Sequence, residues 1–228
     1  MTTSGSYDFT INENKLITGA AQLLGIYSVG NVLAASDYSI MRDFLNMAVS
    51  YLSPLCNLWV TTEVTHTLTP GTASYTVGTG LNIDTARPSR LLSARRRDTS
   101  NIEIPIEVVS RDEYKDVTQK TTQAPASIVY YDPQVSNGVL YVWPTGSTGN
   151  VTLLLDFKRP IQDFDSQGNN PDLPKEWFLP LMYWLAVLVA PVYLGNVPQG
   201  TFTMATQLIS SVSGMDAEKV ALMLGAKK

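Results

Sequence analysis

His66 is the only histidine and Cys56 the only cysteine in the 228 residues. Nucleophilic catalysis of the Ser-His-Asp or Cys-His kind must therefore use these two or be absent. Neither sits in a supporting motif. Cys56 follows Pro54 among Leu55, Leu58 and Trp59, the setting of a small buried apolar residue, and it has no partner for an internal disulfide. His66 lies in a threonine-rich stretch of alternating character and reads as a strand residue. Zinc needs three or four His, Cys or carboxylate ligands at close spacing, and no such group occurs. The loop DFDSQGNNPD places Asp163, Asp165 and Gly168 at the first, third and sixth positions of a calcium loop. Its twelfth position, however, is Pro174 instead of a bidentate glutamate, and no helical pattern precedes it. An Asx-rich turn is the expectation. A glycosidase pair drawn from Asp163, Asp165, Asp98 or Glu103 is the alternative, and it would make the chain a cell-wall hydrolase. The expected numbers of catalytic residues, metals and cofactors are all nil.

The one basic cluster is Arg95, Arg96 and Arg97, with Arg87 and Arg90 close by. In a strand Arg95 and Arg97 share a face and Arg96 takes the other, so the three form no continuous phosphate track. Asp98, Glu103 and Glu107 are the expected ion-pair partners. In a ring of subunits the same arginines would become a circle of positive charge. A net charge of −4 with 16% charged residues argues against a free nucleic-acid-binding protein. With 44% hydrophobic residues the chain can bury a full core. The polar Met1–Thr10 segment does not resemble a signal peptide.

The elements that must position these residues are legible in order. Thr10 and Glu13 have capping-box spacing ahead of a helix with Leu16, Ile17, Ala20, Leu23 and Leu24 on one stripe, stopped at Gly25. Ser36 is the expected cap of a second helix, striped by Ile40, Met41, Phe44, Leu45, Ala48, Tyr51 and Leu52 and ended by Pro54. From Leu58 the period becomes two, and Pro70-Gly71 predicts a hairpin between the stretch ending at Leu68 and Ser74–Val77. The Arg-rich strand follows, then a capping box at Ser110 and Glu113, then strands around Val129, Tyr141 and Leu154. Asp172 and Pro174 are placed to start the next helix.

WFLPLMYWLAVLVAPVYLG, from Trp177 to Gly195, is long and apolar enough for a membrane span. Two internal prolines and the lack of a flanking Lys/Arg cluster favour a packing helix instead. A last helix carries Phe202, Ala205, Leu208, Ile209 and Val212 on one face. The predicted fold class is α+β. Residues 1–58 and 166–228 form a helical bundle, and 59–165 an inserted antiparallel β-rich lobe. Leu16, Leu23, Phe44, Leu45, Leu181, Leu185, Leu208 and Ile209 are expected to share one core; Val64, Leu92, Val108, Val129, Tyr141 and Leu154 are expected to form the second. The tail from Met215 to Lys228 is expected to dock on a neighbour through Val220, Leu222, Met223 and Leu224.

The succession SARRRDTSNIEIPIEVVSRDEY, IVYYDPQ, GVLYVWP, LDFKRPIQDFD and NPDLPKEW resembles the tail accessory factors, or head-to-tail adaptors, of P22-like short-tailed phages. The likeness runs from about Tyr7 to Val192 and is most specific over Ser93–Trp177. It implies a structural virion protein, made in the host cytoplasm and working in the tail or neck. A homo-oligomeric ring of about twelve subunits would sit beneath the portal protein and join it to other tail proteins. DNA would pass through the channel without sequence-specific binding, and no membrane would be involved.

Overall fold

The computed structural model describes residues 4–26, 32–53, 61–147 and 151–215. The chain divides into two compact units, Met1–Trp59 with Ile161–Lys228, and Val60–Pro160. The fold is α+β.

In the first unit, α1 (Glu13–Leu23), α2 (Ala35–Leu52) and α5 (Gln199–Met215) each pack against α4 (Phe178–Leu194), which continues a short 3-10 turn, Lys175–Trp177. Leu16, Ile17, Met41, Leu45, Leu52, Leu181 and Leu185 are almost wholly inaccessible to solvent. The expected stripe is corrected at its margins. Leu23 is exposed, and Phe44, Leu208 and Ile209 are half-buried. The run with the length and apolarity of a membrane span, Lys175–Leu194, has half of its residues buried inside the protein. Pro180 stands where a helix has no use for its N–H, and Gly195, at φ 73°, takes the left-handed stop and donates to the Pro191 carbonyl at 3.2 Å. At Gly19 the Met182 side chain of α4 lies against α1, and a Cβ there would sit 2.6 Å from Met182 Sδ, so that flexible thioether would have to shift.

The start of α1 differs from its expected capping box. Asn12 is the cap, its Oδ1 accepting from Lys15 N at 3.0 Å. The carbonyls of Asn169 and Gln167 accept from the free N–H groups of Glu13 and Asn14, at 2.9 and 3.3 Å. The Asx-rich loop thus satisfies a helix N-terminus. The Glu13 carboxylate turns inward, fully buried, and accepts from Arg42 Nε at 2.7 Å. Burial and the nearby Glu13 charge push the Tyr38 phenol up to about 12. Asn46 of α2 grips the loop at both backbone groups of Phe164, at 3.0 and 2.8 Å. Nor does Ser36 cap α2, whose N-cap is Ala34 without a side-chain bond.

The second unit is a seven-stranded sheet in the order β1-β7-β3-β4-β5-β6-β2. Its strands are β1 (Thr61–Thr67), β2 (Ser74–Val77), β3 (Arg90–Arg97), β4 (Glu103–Val108), β5 (Ile128–Asp132), β6 (Gly138–Trp143) and β7 (Thr152–Lys158), with helix α3 (Arg111–Asp116) between β4 and β5. Two expectations are overturned. The sheet is mixed, because β4 and β5 run parallel. The strands β1 and β2 form no hairpin but sit at opposite ends of the strand order, on β7 and β6. That order forces curling. Seven flat strands would span about 29 Å, whereas the connection from Thr67 to Ser74 reaches about 25 Å at most. The curled interior is filled by Leu91, Ala94, Val129, Leu140, Val142, Leu153, Leu155 and Phe157, among others. Of the expected second core, Val129 is central and Val64 packs at its margin, while Tyr141 is half-buried. Leu92 and Val108 are exposed. A register shift between Leu91 and Ser93 turns Leu91 inward in place of Leu92. Leu154 is buried, but strand alternation puts it on the opposite face from Leu153 and Leu155.

Candidate interaction surfaces

On the face of β1, β7, β3 and β4 that turns away from the curled interior, Arg95 is the hub of an ionic lattice. It pairs with Glu63, with Glu103 at 2.9 Å and with Asp156 at 3.6 Å, and Arg97 meets Glu103 at 2.6 Å. Ser93 Oγ donates to Asp156. Register explains the set, since Glu63 faces Asp156 and Asp156 faces Ser93 across adjacent strands. Bonded by the Arg97 guanidinium, Glu103 is held below the usual carboxylate range. Three carboxylates against two guanidinium groups leave this patch slightly acidic, which removes it as a phosphate track.

The expected partners are corrected in part. Glu103 is one, but Asp98 instead closes a turn by accepting from Ser100 N and Ile102 N at 2.8 and 2.9 Å, and Glu107 is exposed outside the lattice. The distant Glu63 and Asp156 take their places, brought in by strand pairing that local spacing does not reveal. Arg96 shares the face of the buried Ala94 and is half-buried. His66 packs edge-on to Tyr75 with ring centroids 4.6 Å apart, and burial pushes its imidazole below its ordinary value. Asp163 and Asp165 belong to the loop that caps α1. Among the described residues no group of three His, Cys, Asp or Glu is placed to hold a metal. Cys56 and the tail residues Val220, Leu222, Met223 and Leu224 lie outside the described residues.

A second polar assembly surrounds α3. Its capping box is the expected one, with Glu113 N donating to Ser110 Oγ and Ser110 N to Glu113 Oε2. Tyr114 stacks on Tyr130, and Tyr130 on Tyr141, with centroids 5.9 and 5.7 Å apart. Arg111 binds Tyr130 Oη at 3.1 Å and Asp132 at 2.9 Å. Sequence reasoning missed this group. Its signal is the pair Tyr130 and Tyr141, one in each of two successive strand patterns, which the antiparallel register sets opposite one another.

The helical unit presents a different surface. Ile40 and Tyr51 were expected in the buried stripe, yet with Met47 they are exposed, and with half-buried Phe44 they recur at helical spacing on the outward side of α2. Tyr51 stacks on Trp184 of α4 at 5.8 Å. Leu179, Val192, Leu194, Phe202 and Met204 are exposed on α4 and α5. From Trp177 to Met215 there is no Asp, Glu, Lys or Arg. Such a surface, apolar and stripped of charge, has the composition of an interface core.

The family model described as SU10 adaptor protein matches residues 15–221. No curated protein matches the sequence. A chain in the solved structure titled "Neck of empty GTA particle computed with C6 symmetry" is 15% identical, over 84% of this chain and 86% of that one, with a TM-score of 0.28.

Proposed function

The chain belongs to the SU10 adaptor protein family, and from that premise we propose that it forms a homo-oligomeric ring beneath the portal of a P22-like short-tailed phage and carries the tail. Its role as a structural head-to-tail adaptor follows from the family; ring size, portal docking and passage of DNA through the channel are the finer reading. The observation that carries this reading is the match over residues 15–221. The outward faces of α2, α4 and α5 support it, because an adaptor works by contact and needs desolvated, weakly charged surface. We assign the subunit contact to the α2 stripe of Ile40, Phe44, Met47 and Tyr51. Arg95 and Arg97 are engaged within their own sheet, so Arg96 is the member of the cluster left to meet a partner. The tail residues Val220, Leu222, Met223 and Leu224 are proposed, on sequence grounds, to reach a neighbour. Mixing the purified protein with its cognate portal rings and imaging the product tests the reading. An added ring of density beneath the portal is expected, and bare portals at saturating protein would overturn it.

A further inference from the structure

The outward stripe of α2 is apolar with one exception. Asp43 stands three residues after Ile40 and four before Met47, so helical spacing sets it among them, and Tyr51 continues the row one turn on. Ile40, Asp43, Met47 and Tyr51 are all exposed. Among the described residues Asp43 has no ion-pair partner.

A groove on the same helical unit has the opposite charge in a similar apolar setting. Between α1 and Met182 of α4 lies an open cavity of about 550 Å³, lined by Phe9, Ile11, Lys15, Thr18, Leu23 and Met182 among others. Phe9 and Leu23 are its exposed apolar walls, and Ile11 is buried. Lys15 is the one charged residue of the lining, and among the described residues it too has no ion-pair partner. The other cations described in this unit are less available: Arg42 is held by Glu13, and Lys175 is followed by Glu176. Lys15 to Leu23 on α1 and Asp43 to Tyr51 on α2 are intervals of the same length, about 12 Å. Groove and stripe lie on different sides of α4, because Met182 lines the one and Trp184, stacked on Tyr51, borders the other. Two residues apart on a helix, those side chains leave it in nearly opposite directions.

We propose that the α2 stripe of one copy lies in the α1–α4 groove of the next, with Asp43 paired to Lys15 and with Met47 and Tyr51 over Met182 and Leu23. Apolar burial supplies the affinity, as when other helices enter grooves, and the ion pair sets the register. Stripe against stripe would instead bring two Asp43 carboxylates to one apolar face without a free cation. The apolar surface of α4 and α5 offers none either, since Trp177–Met215 contains no Lys or Arg. Because stripe and groove are different patches, the contact is head-to-tail and closes a ring when its rotation permits. This inference rests on the ring reading and names what the α2 stripe meets.

Charge exchange and cross-linking test it in the full chain. Lys15→Glu and Asp43→Lys should each weaken assembly on cognate portal rings about tenfold, a loss of about 1.4 kcal/mol, and their combination in one chain should restore it. Single variants that assemble as the parent does, or a double variant that regains nothing, would overturn the pairing. For the second arm, Lys15→Cys and Asp43→Cys are made separately in a Cys56→Ser background, given different tags, mixed, assembled on the portals and treated with a short bis-maleimide. A linked species carrying both tags is expected. Rings that form without it would overturn the contact and leave the ring reading standing. Linkage of chains bearing Asp43→Cys to one another, or to the portal, in place of the mixed-tag species would give the stripe a different occupant and overturn the proposal. Portals that stay bare with the unmodified protein would remove both readings.

Discussion

In the unit Val60–Pro160 the charged side chains of the outer sheet face answer one another: Arg95 alone engages Glu63, Glu103 and Asp156. In the unit built from both ends of the chain, the outward faces of α2, α4 and α5 carry Ile40, Met47, Tyr51, Leu179, Phe202 and Met204, and the whole run from Trp177 to Met215 has no charge. One surface has its partners within the fold. The other has apolar side chains that water serves poorly, and burial against another protein would stabilise them. The contrast teaches where an adaptor of this kind separates self-sufficiency from assembly, and it can be broken at several strengths.

The largest effect is expected inside the curled sheet. Phe157 is fully buried, so Phe157→Ala should cost about 3–5 kcal/mol by urea unfolding. Phe44→Ala, at a half-buried site facing outward, should cost about 1–2 kcal/mol, less than a core phenylalanine does. Equal costs would mean that Phe44 belongs to the core after all.

Arg42→Met leaves the Glu13 carboxylate buried without its partner, and a loss of about 3 kcal/mol is expected. Replacing the pair together, by Glu13→Leu with Arg42→Met, should recover most of it, since the isolated buried charge is what costs. A double variant as unstable as the single would point to packing as the cause.

The smaller effects concern titration and the lattice. Burial lowers the folded-state pKa of His66, so the folded chain binds fewer protons than the unfolded one below the ordinary value of about 6.5. Stability should be full above that pH and fall as the pH drops through it toward the folded value. His66→Phe should flatten this slope in unfolding curves taken between pH 5 and pH 7. Arg95→Ala should barely move the midpoint at high salt and lower it slightly at low salt, because Glu63, Glu103 and Asp156 are then left facing Arg97 alone and salt screens their repulsion. A large loss would show that the lattice carries the fold.

Much of this was legible because local patterns and tertiary packing agreed. The Ser110–Glu113 box, the Gly25 stop and the packing role of α4 follow from spacing and composition. The errors have one physical origin, which is that pairing partners distant in the chain leave no local trace. The turn at Pro70-Gly71 is real, but it joins the two ends of a curled sheet instead of a hairpin. Glu13 has capping-box spacing from Thr10, yet Arg42, far along the chain, draws the carboxylate inward. Helical periodicity marked Ile40 and Tyr51 as apolar without showing that α2 has two apolar sides, one for the core and one outward. The outward apolar side of α2 was therefore visible in the sequence as hydrophobicity and hidden as geometry.

The central claim is that the outward stripe of α2 joins subunits while the core stripe holds the fold. It is tested most directly by imaging cognate portal rings mixed with the Ile40→Glu, Met47→Glu double variant. Both sites are exposed, so its unfolding free energy should stay within about 0.5 kcal/mol of the parent per substitution, while the ring of density beneath the portal disappears. A variant that folds as the parent does and still builds that ring would contradict the claim.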